Sequence, residues 1–292
     1  MDTTILITGA TGHFGKSTIN FLLHKGVNPD TIFALVRDET KALDLKEKGI
    51  HLKIGDYNNY ESLKVAFKGI DKLLLVSGTD LANRSEQQLN VVKAAKEAGV
   101  KHILYTSFER KNENESTPLS FLAKSHIDTD NAIKASGLNY TIFKNNLYFE
   151  ALPMFLGEHV LDSGIYFASG KGKGAFVSRT DLAEAAANVL ITNGHENKDY
   201  ATSNVENYTM ENIATYLSEI AKKEVSYFSP EINDFEESLK NAGVPSEYIG
   251  MFIGFASAIE QGEFEVENSD LEKLLGRKPT SLFDFLTQTY SK

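Results

Sequence analysis

The chain has no cysteine, so disulfides, thiolate nucleophiles and cysteine-ligated metals are excluded. It also has no apolar run long enough for a bilayer. The longest, residues 249–259, is broken by Gly250 and Gly254 and falls well short of the roughly 20 residues that a spanning helix needs. That stretch reads as a buried helix, and no membrane partner is expected. The opening Met1-Asp2-Thr3-Thr4-Ile5 lacks the basic n-region and cleavage site of a secretory signal, so a cytoplasmic protein is expected. No dense Lys/Arg cluster offsets the formal net charge of −10, a balance that opposes counterion-driven binding to nucleic acid or anionic lipid. A phosphate-bearing ligand then has to be held by local geometry. The seven histidines never stand three to five residues apart and have no matching carboxylate cluster, so no metal site is expected. There is no GxSxG elbow to support a serine hydrolase. Acid pairs such as Glu236-Glu237 read as solvated charges on polar helix faces.

Hydrophobic residues make up 41% and charged residues 24% of the 292, which places the chain with ordinary globular domains rather than disordered or fibrous ones. Up to about residue 144 one rhythm repeats: a short aliphatic run, a turn, then helical spacing. Strands are predicted over residues 4–8, 31–36, 51–54, 72–76, 102–106 and 140–143, with helices between them at 14–24, 60–67 and 86–98. Parallel strands need crossovers, and those are right-handed. The fold class is therefore α/β, a doubly wound parallel Rossmann sheet with a smaller, mostly helical C-terminal lobe. Residues 1–150 are expected to form the nucleotide-binding core, with returning segments near 165–200 that include a helix over 179–191; residues 151–292 are expected to be mainly the substrate-binding lobe. The polar stretch 109–116 reads as a solvated connection. A monomer or homodimer is expected.

Directly after the first strand comes Thr8-Gly9-Ala10-Thr11-Gly12-His13-Phe14-Gly15. The first glycine suits a tight turn, the second lets backbone amides approach a pyrophosphate, and the third allows close helix–strand packing. Placed at the first strand-to-helix turn of a βαβ series, the pattern is a strong dinucleotide signal. The second strand ends Val36-Arg37-Asp38: Arg37 suits the 2′-phosphate of NADP, whereas Asp38 could serve the ribose of NAD. NADP is favoured and NAD stays open. After the third strand, Asp56 and Tyr57 could meet the adenine, or they could form an Asx-type helix entry. Ser77, Gly78 and Thr79 end the fourth strand, at the carboxyl edge where open α/β sheets place ligands, and could line the nicotinamide ribose.

With these residues in place the chain resembles the NmrA-like, atypical branch of the short-chain dehydrogenase superfamily, and within it the type 2 NAD(P)H:quinone oxidoreductases and related triphenylmethane reductases. The likeness covers nearly the whole chain. It is carried by the TGATGxxG opening, Leu35-Val36-Arg37-Asp38, Gly55-Asp56-Tyr57, Tyr105-Thr106-Ser107, His126 followed by Ser136-Gly137-Leu138, Tyr208-Thr209-Met210-Glu211, and Leu275-Gly276-Arg277-Lys278-Pro279-Thr280. The resemblance implies NADPH on Gly9 to Phe14, with Arg37 on the 2′-phosphate. Ser77, Gly78 and Thr79, Thr106, and the segment with Asn145 and Tyr148 would then lie along the nicotinamide half. One departure stands out: Lys144-Asn145-Asn146-Leu147-Tyr148 replaces the Arg-Asn-Gly-Trp-Tyr usual in the quinone reductases.

Classical members of the superfamily pair a serine with YxxxK to move an alcohol proton. Ser107 fits the serine place, but Leu122 and His126 stand where the Tyr and Lys would be. His126 is then the candidate proton donor, with Ser107 beside it. An electron-poor acceptor takes hydride with little acid help, so orientation in a dry slot is the main requirement. Candidate walls are Phe108, Tyr148, Phe149 and the aromatic helix with Tyr248, Met251, Phe252 and Phe255, against the alternative that these pack the core. The expected activity is NADPH-dependent reduction of a quinone or related small electron-poor aromatic. Two alternatives are open: an NmrA-type redox sensor that binds NADP without catalysis, and carbon–carbon double-bond reduction as in isoflavone reductases.

Overall fold

The computed structural model describes residues 3–113 and 117–291. Aliphatic side chains fill the inner strands on both faces, as a sheet covered by helices on either side requires. The strands are β1 (Ile5–Ile7), β2 (Ile32–Val36), β3 (His51–Ile54), β4 (Lys72–Leu75), β5 (His102–Phe108), β6 (Asn139–Asn145), β7 (Ile165–Tyr166), β8 (Lys198–Thr202) and β9 (Tyr227–Phe228). Seven of them form one all-parallel sheet in the order β3-β2-β1-β4-β5-β6-β8, and β7 pairs with β9 separately. The order reverses between β1 and β4, and that switch opens a crevice at the carboxyl edge. Strand β8 was not among the strands predicted. Its Lys-Asp-Tyr-Ala-Thr sequence exposes Lys198 and Asp199 at the sheet's edge, so it carries no apolar run to read.

Between the strands of the first half lie α1 (His13–His24), α2 (Leu43–Glu47), α3 (Tyr60–Ala66), α4 (Arg84–Ala98) and α5 (Ser120–Ser136). After them come α6 (Leu152–Leu156), α7 (Val160–Ser163), α8 (Arg179–Ile191), α9 (Met210–Ala221), α10 (Ile232–Asn241), α11 (Ser246–Glu260), α12 (Leu271–Leu275) and α13 (Leu282–Tyr290). Helices α1, α8 and α12 share one apolar cluster with one face of the sheet, while α3, α4 and α5 cover the other. The chain thus returns to the sheet through α8 and β8, and again through α12. A third cluster is rich in phenylalanine and gathers Phe149, Phe155, Phe167, Phe176, Phe235 and Phe264 with leucines of α9 and α13.

An ionic knot ties the late segment to the sheet layer. Asp181, 1% exposed, accepts from Arg277 at 2.7 Å and from the Thr280 amide at 2.5 Å, and Arg277 also meets Glu184 at 2.6 Å. The Arg277 to Thr280 portion of the late motif is therefore structural.

The 109–116 connection is not simply solvated. The Arg110 side chain is 5% exposed and pairs at 2.8 Å with Asp130 of α5; residues 114–116 lie outside the described residues. Among the described residues no helix is long and apolar enough to cross a membrane.

Candidate active site

The turn from β1 into α1 is built by its glycines. Gly9 has φ +58°, a left-handed conformation that strains any L side chain. A Cβ on Gly15 would lie 2.5 Å from the Gly9 carbonyl oxygen, so strand and helix approach this closely only without one. The Gly12 amide donates to the Gly9 oxygen at 2.9 Å and closes the loop. Gly12 is the N-cap of α1 and brings no capping side chain, and no acidic residue occupies the first turn. The first amides of α1, those of His13 and Phe14, precede the helix's own acceptors and stand at the positive end of its dipole, an arrangement that suits a diphosphate.

Around that turn the structure separates free groups from engaged ones. Arg37 is exposed at the end of β2, and among the described residues no hydrogen bond or ion pair holds its guanidinium. Asp38 is committed: its carboxylate accepts from the Thr40 hydroxyl at 2.7 Å and amide at 2.9 Å, bonds that hold it below the usual carboxylate range. Asp56 accepts from the Asn58 amide at 2.8 Å, the Asx-type geometry that the sequence left open. The Tyr57 hydroxyl reaches Thr8 Oγ1 at 2.5 Å and the Val76 carbonyl at 2.9 Å, while Thr8 accepts from the Val76 amide. Tyr57 thus braces β1 against the end of β4, and burial pushes its phenol above the ordinary value; its polar end is unavailable to a ligand.

Past the end of β4, the Ser77 amide donates to Thr106 Oγ1 at 2.9 Å and the Gly78 amide to Gln88 at 3.2 Å, which fixes the loop that leads to the exposed Thr79. Asn145 is 1% exposed, accepts from Thr202 at 2.8 Å and donates to the Tyr148 hydroxyl at 3.2 Å. The Tyr148 ring lies 4.8 Å from the Arg179 guanidinium, at the start of α8. A backbone bridge from Tyr148 to Val177 places that helix start at the same carboxyl edge as the start of α1. The Arg179 amide donates to both Glu150 oxygens, at 3.0 and 3.1 Å, while its buried Nε finds no partner among the described residues. Sequence reasoning did not single out Arg179, because nothing local marks an arginine that tertiary packing brings against Tyr148.

The groups expected to react are differently placed. Ser107, 3% exposed, donates to Asp130 at 3.0 Å, inside the pair that Asp130 makes with Arg110. Its hydroxyl faces α5 and is not free to activate a substrate. His126, 4% exposed, shares a 2.7 Å bond between Nδ1 and the Tyr105 hydroxyl and stacks on Phe108 with ring centroids 5.7 Å apart. Burial, with Arg84 and Arg110 nearby, holds its imidazole well below the usual value. It is therefore neutral near pH 7 and lacks the acidic second ring proton that an imidazolium would give. Phe149 is fully buried and stacks on Phe285 at 5.1 Å, and Phe252 meets Phe155 edge-on at 6.1 Å, so both belong to the packing of the aromatic cluster. Of the expected walls, Phe108 borders open space: a gap of about 10 Å³, room for about one water, lies between it, Leu119, Ala258 and Phe264. Glu109, which the sequence reading left within a solvated loop, lines the same gap.

The chain matches known proteins over nearly its whole length. The family model described as NmrA-like family matches residues 1–290. Quinone oxidoreductase 2 of Escherichia coli is 34% identical over 288 residues, 98% of this chain and 99% of that protein. The solved structure of an NADPH-dependent quinone oxidoreductase from Escherichia coli, complexed with NADPH, superposes with a TM-score of 0.90 at 34% identity, covering 99% of this chain and 100% of the other. A triphenylmethane reductase of Citrobacter sp., complexed with NADP(H), gives 0.89 at 37% identity, covering 98% of this chain and 99% of the other.

Proposed function

The chain belongs to the NmrA-like family, and from that premise we propose that it transfers hydride from NADPH to a quinone or a related small electron-poor aromatic acceptor. It is an NAD(P)H-dependent oxidoreductase whose cofactor is NADP. The glycine turn and the opening amides of α1 would hold the diphosphate, and the free Arg37 would hold the 2′-phosphate. When bound, the cofactor supplies the hydride; the protein supplies orientation and exclusion of water.

The observation that carries the acceptor class is the commitment of Ser107 to Asp130. With that hydroxyl engaged and Leu122 where a catalytic tyrosine would stand, the site has no machinery to draw a proton from an alcohol. Hydride acceptance by an already electron-poor ring needs none. The test is NADPH oxidation, followed by absorbance, on adding simple quinones. Turnover supports the reading; tight NADPH binding without turnover on any quinone or dye overturns it.

One observation favours a second reading, a non-catalytic NADP-binding sensor: the gap beside Phe108 holds about one water, at 10 Å³, and a quinone needs the walls to part. A sensor should bind NADP+ about as tightly as NADPH and copurify with a protein partner.

A further inference from the structure

Reducing a quinone takes a proton as well as a hydride, and with His126 neutral that proton needs another source. Glu109 follows Phe108 at the carboxyl end of β5. Its amide donates to the Asn145 carbonyl at 2.9 Å, which pins it beside the segment that would lie along the nicotinamide. Its Oε1 accepts from the Arg110 amide at 3.2 Å, and among the described residues its carboxyl joins no ion pair. Most informative is its position as a shared wall. On one side is the narrow apolar gap beside Phe108, Leu119 and Phe264. On the other is a wide polar cleft of about 580 Å³, bordered by Lys111, Lys173, Asn207 and Glu265. Glu109 thus borders both a narrow, mostly apolar gap and a wide cleft rich in charged side chains.

We propose that Glu109 is the proton donor to the reduced acceptor, recharged from solvent through the polar cleft; this rests on the quinone-reductase reading. The acceptor gains a hydride with its two electrons, NADPH being oxidised to NADP+, and becomes a hydroquinone monoanion. The O–H bond of the Glu109 carboxyl then breaks, a new O–H bond forms on the phenolate oxygen, and hydroquinone leaves a carboxylate behind. A solvent acid restores the carboxyl.

The electrostatics are compatible with that cycle. Burial pushes the Glu109 carboxyl above the ordinary range, against the Arg110 amide and the charges of Lys144 and Arg110. The other charged groups facing it are Glu263 across the gap, and Lys111, Lys173, Glu265 and Glu267 around the cleft. Arg110 is shared with Asp130 and Glu113, which weakens its pull on Glu109.

The test compares two acceptors in wild type and Glu109→Gln, which keeps the side chain's shape but has no acidic proton. A cationic triarylmethane dye is neutralised by hydride alone, so only the quinone needs Glu109. The ratio of quinone to dye turnover is expected to fall about 10²-fold or more in the variant, with loss of the decline in quinone turnover as pH rises through the carboxyl's pKa. Carbon-13 NMR of labelled glutamate carboxyls, read without cofactor, should show one resonance titrating above the rest and missing from Glu109→Gln. An unchanged ratio, or a Glu109 that titrates with ordinary glutamates, overturns the proposal while leaving the quinone-reductase reading standing. A wild type that turns over no quinone sinks both.

Discussion

The Tyr105 hydroxyl and His126 Nδ1 lie 2.7 Å apart inside the protein, and this contact sits among groups that keep the imidazole uncharged. His102 behaves alike: 6% exposed and bonded to Thr141 at 2.9 Å, it is pushed by burial down to about 4. A histidine neutral in the folded state but ordinary in the unfolded one makes the unfolded chain bind more protons as pH falls. The histidines' contribution to stability is therefore full above about pH 6.5 and is lost as pH drops toward 4, about 3 kcal/mol of it from His102. Denaturant melts at stepped pH should show the decline, and His102→Gln should flatten it.

Arg37 stands free where a 2′-phosphate would sit, with Asp38 turned to Thr40. Arg37→Ala should weaken NADPH binding about 10- to 100-fold, the worth of one or two charge-assisted bonds. NADH binding should barely change. Calorimetry with both nucleotides checks this; an equal loss for both would remove Arg37 from cofactor selection.

Gly15 cannot take a side chain without moving the turn, since its Cβ would sit 2.5 Å from Gly9 O. Gly15→Ala should cost about 1–3 kcal/mol of stability through overpacking and should depress binding of NADPH and NADH together. A thermal melt and a cofactor titration on the same sample read both effects.

Asp181 is 1% exposed and holds both Arg277 and the Thr280 amide. Asp181→Ala leaves the Thr280 amide without its acceptor and the half-exposed Arg277 guanidinium with Glu184 and the Lys278 carbonyl, and should destabilise the fold by roughly 1–3 kcal/mol. Arg277→Ala should cost less, because the Thr280 amide keeps its partner. Equal losses in the two melts would show that the carboxylate acts only through Arg277.

Much of this protein can be read from local pattern. The alternation of aliphatic runs with helical spacing predicts the parallel sheet through β6, and α4 ends at Ala98, the last residue of the helix predicted there, with Gly99 at φ +78° after it. The edge strand β8 escaped, since half-exposed strands show no apolar run. Site residues divide in the same way. The glycines at 9, 12 and 15 act through backbone conformation and close approach, which their own identity determines. Ser107 and His126 are ordinary residues whose chemistry depends on what lies opposite.

The sequence by itself determined the fold class, the glycine turn after β1 and the cation at the end of β2, because each follows from short-range spacing along one strand–turn–helix unit. Only the tertiary structure decided which polar groups are free. Packing α5 against β5 consumed Ser107, buried Arg110 and silenced His126. The chain just past β5 set Glu109 at the border of both the narrow gap and the wide cleft. A side chain's partners and solvation come from segments distant in the chain, and no local pattern encodes them.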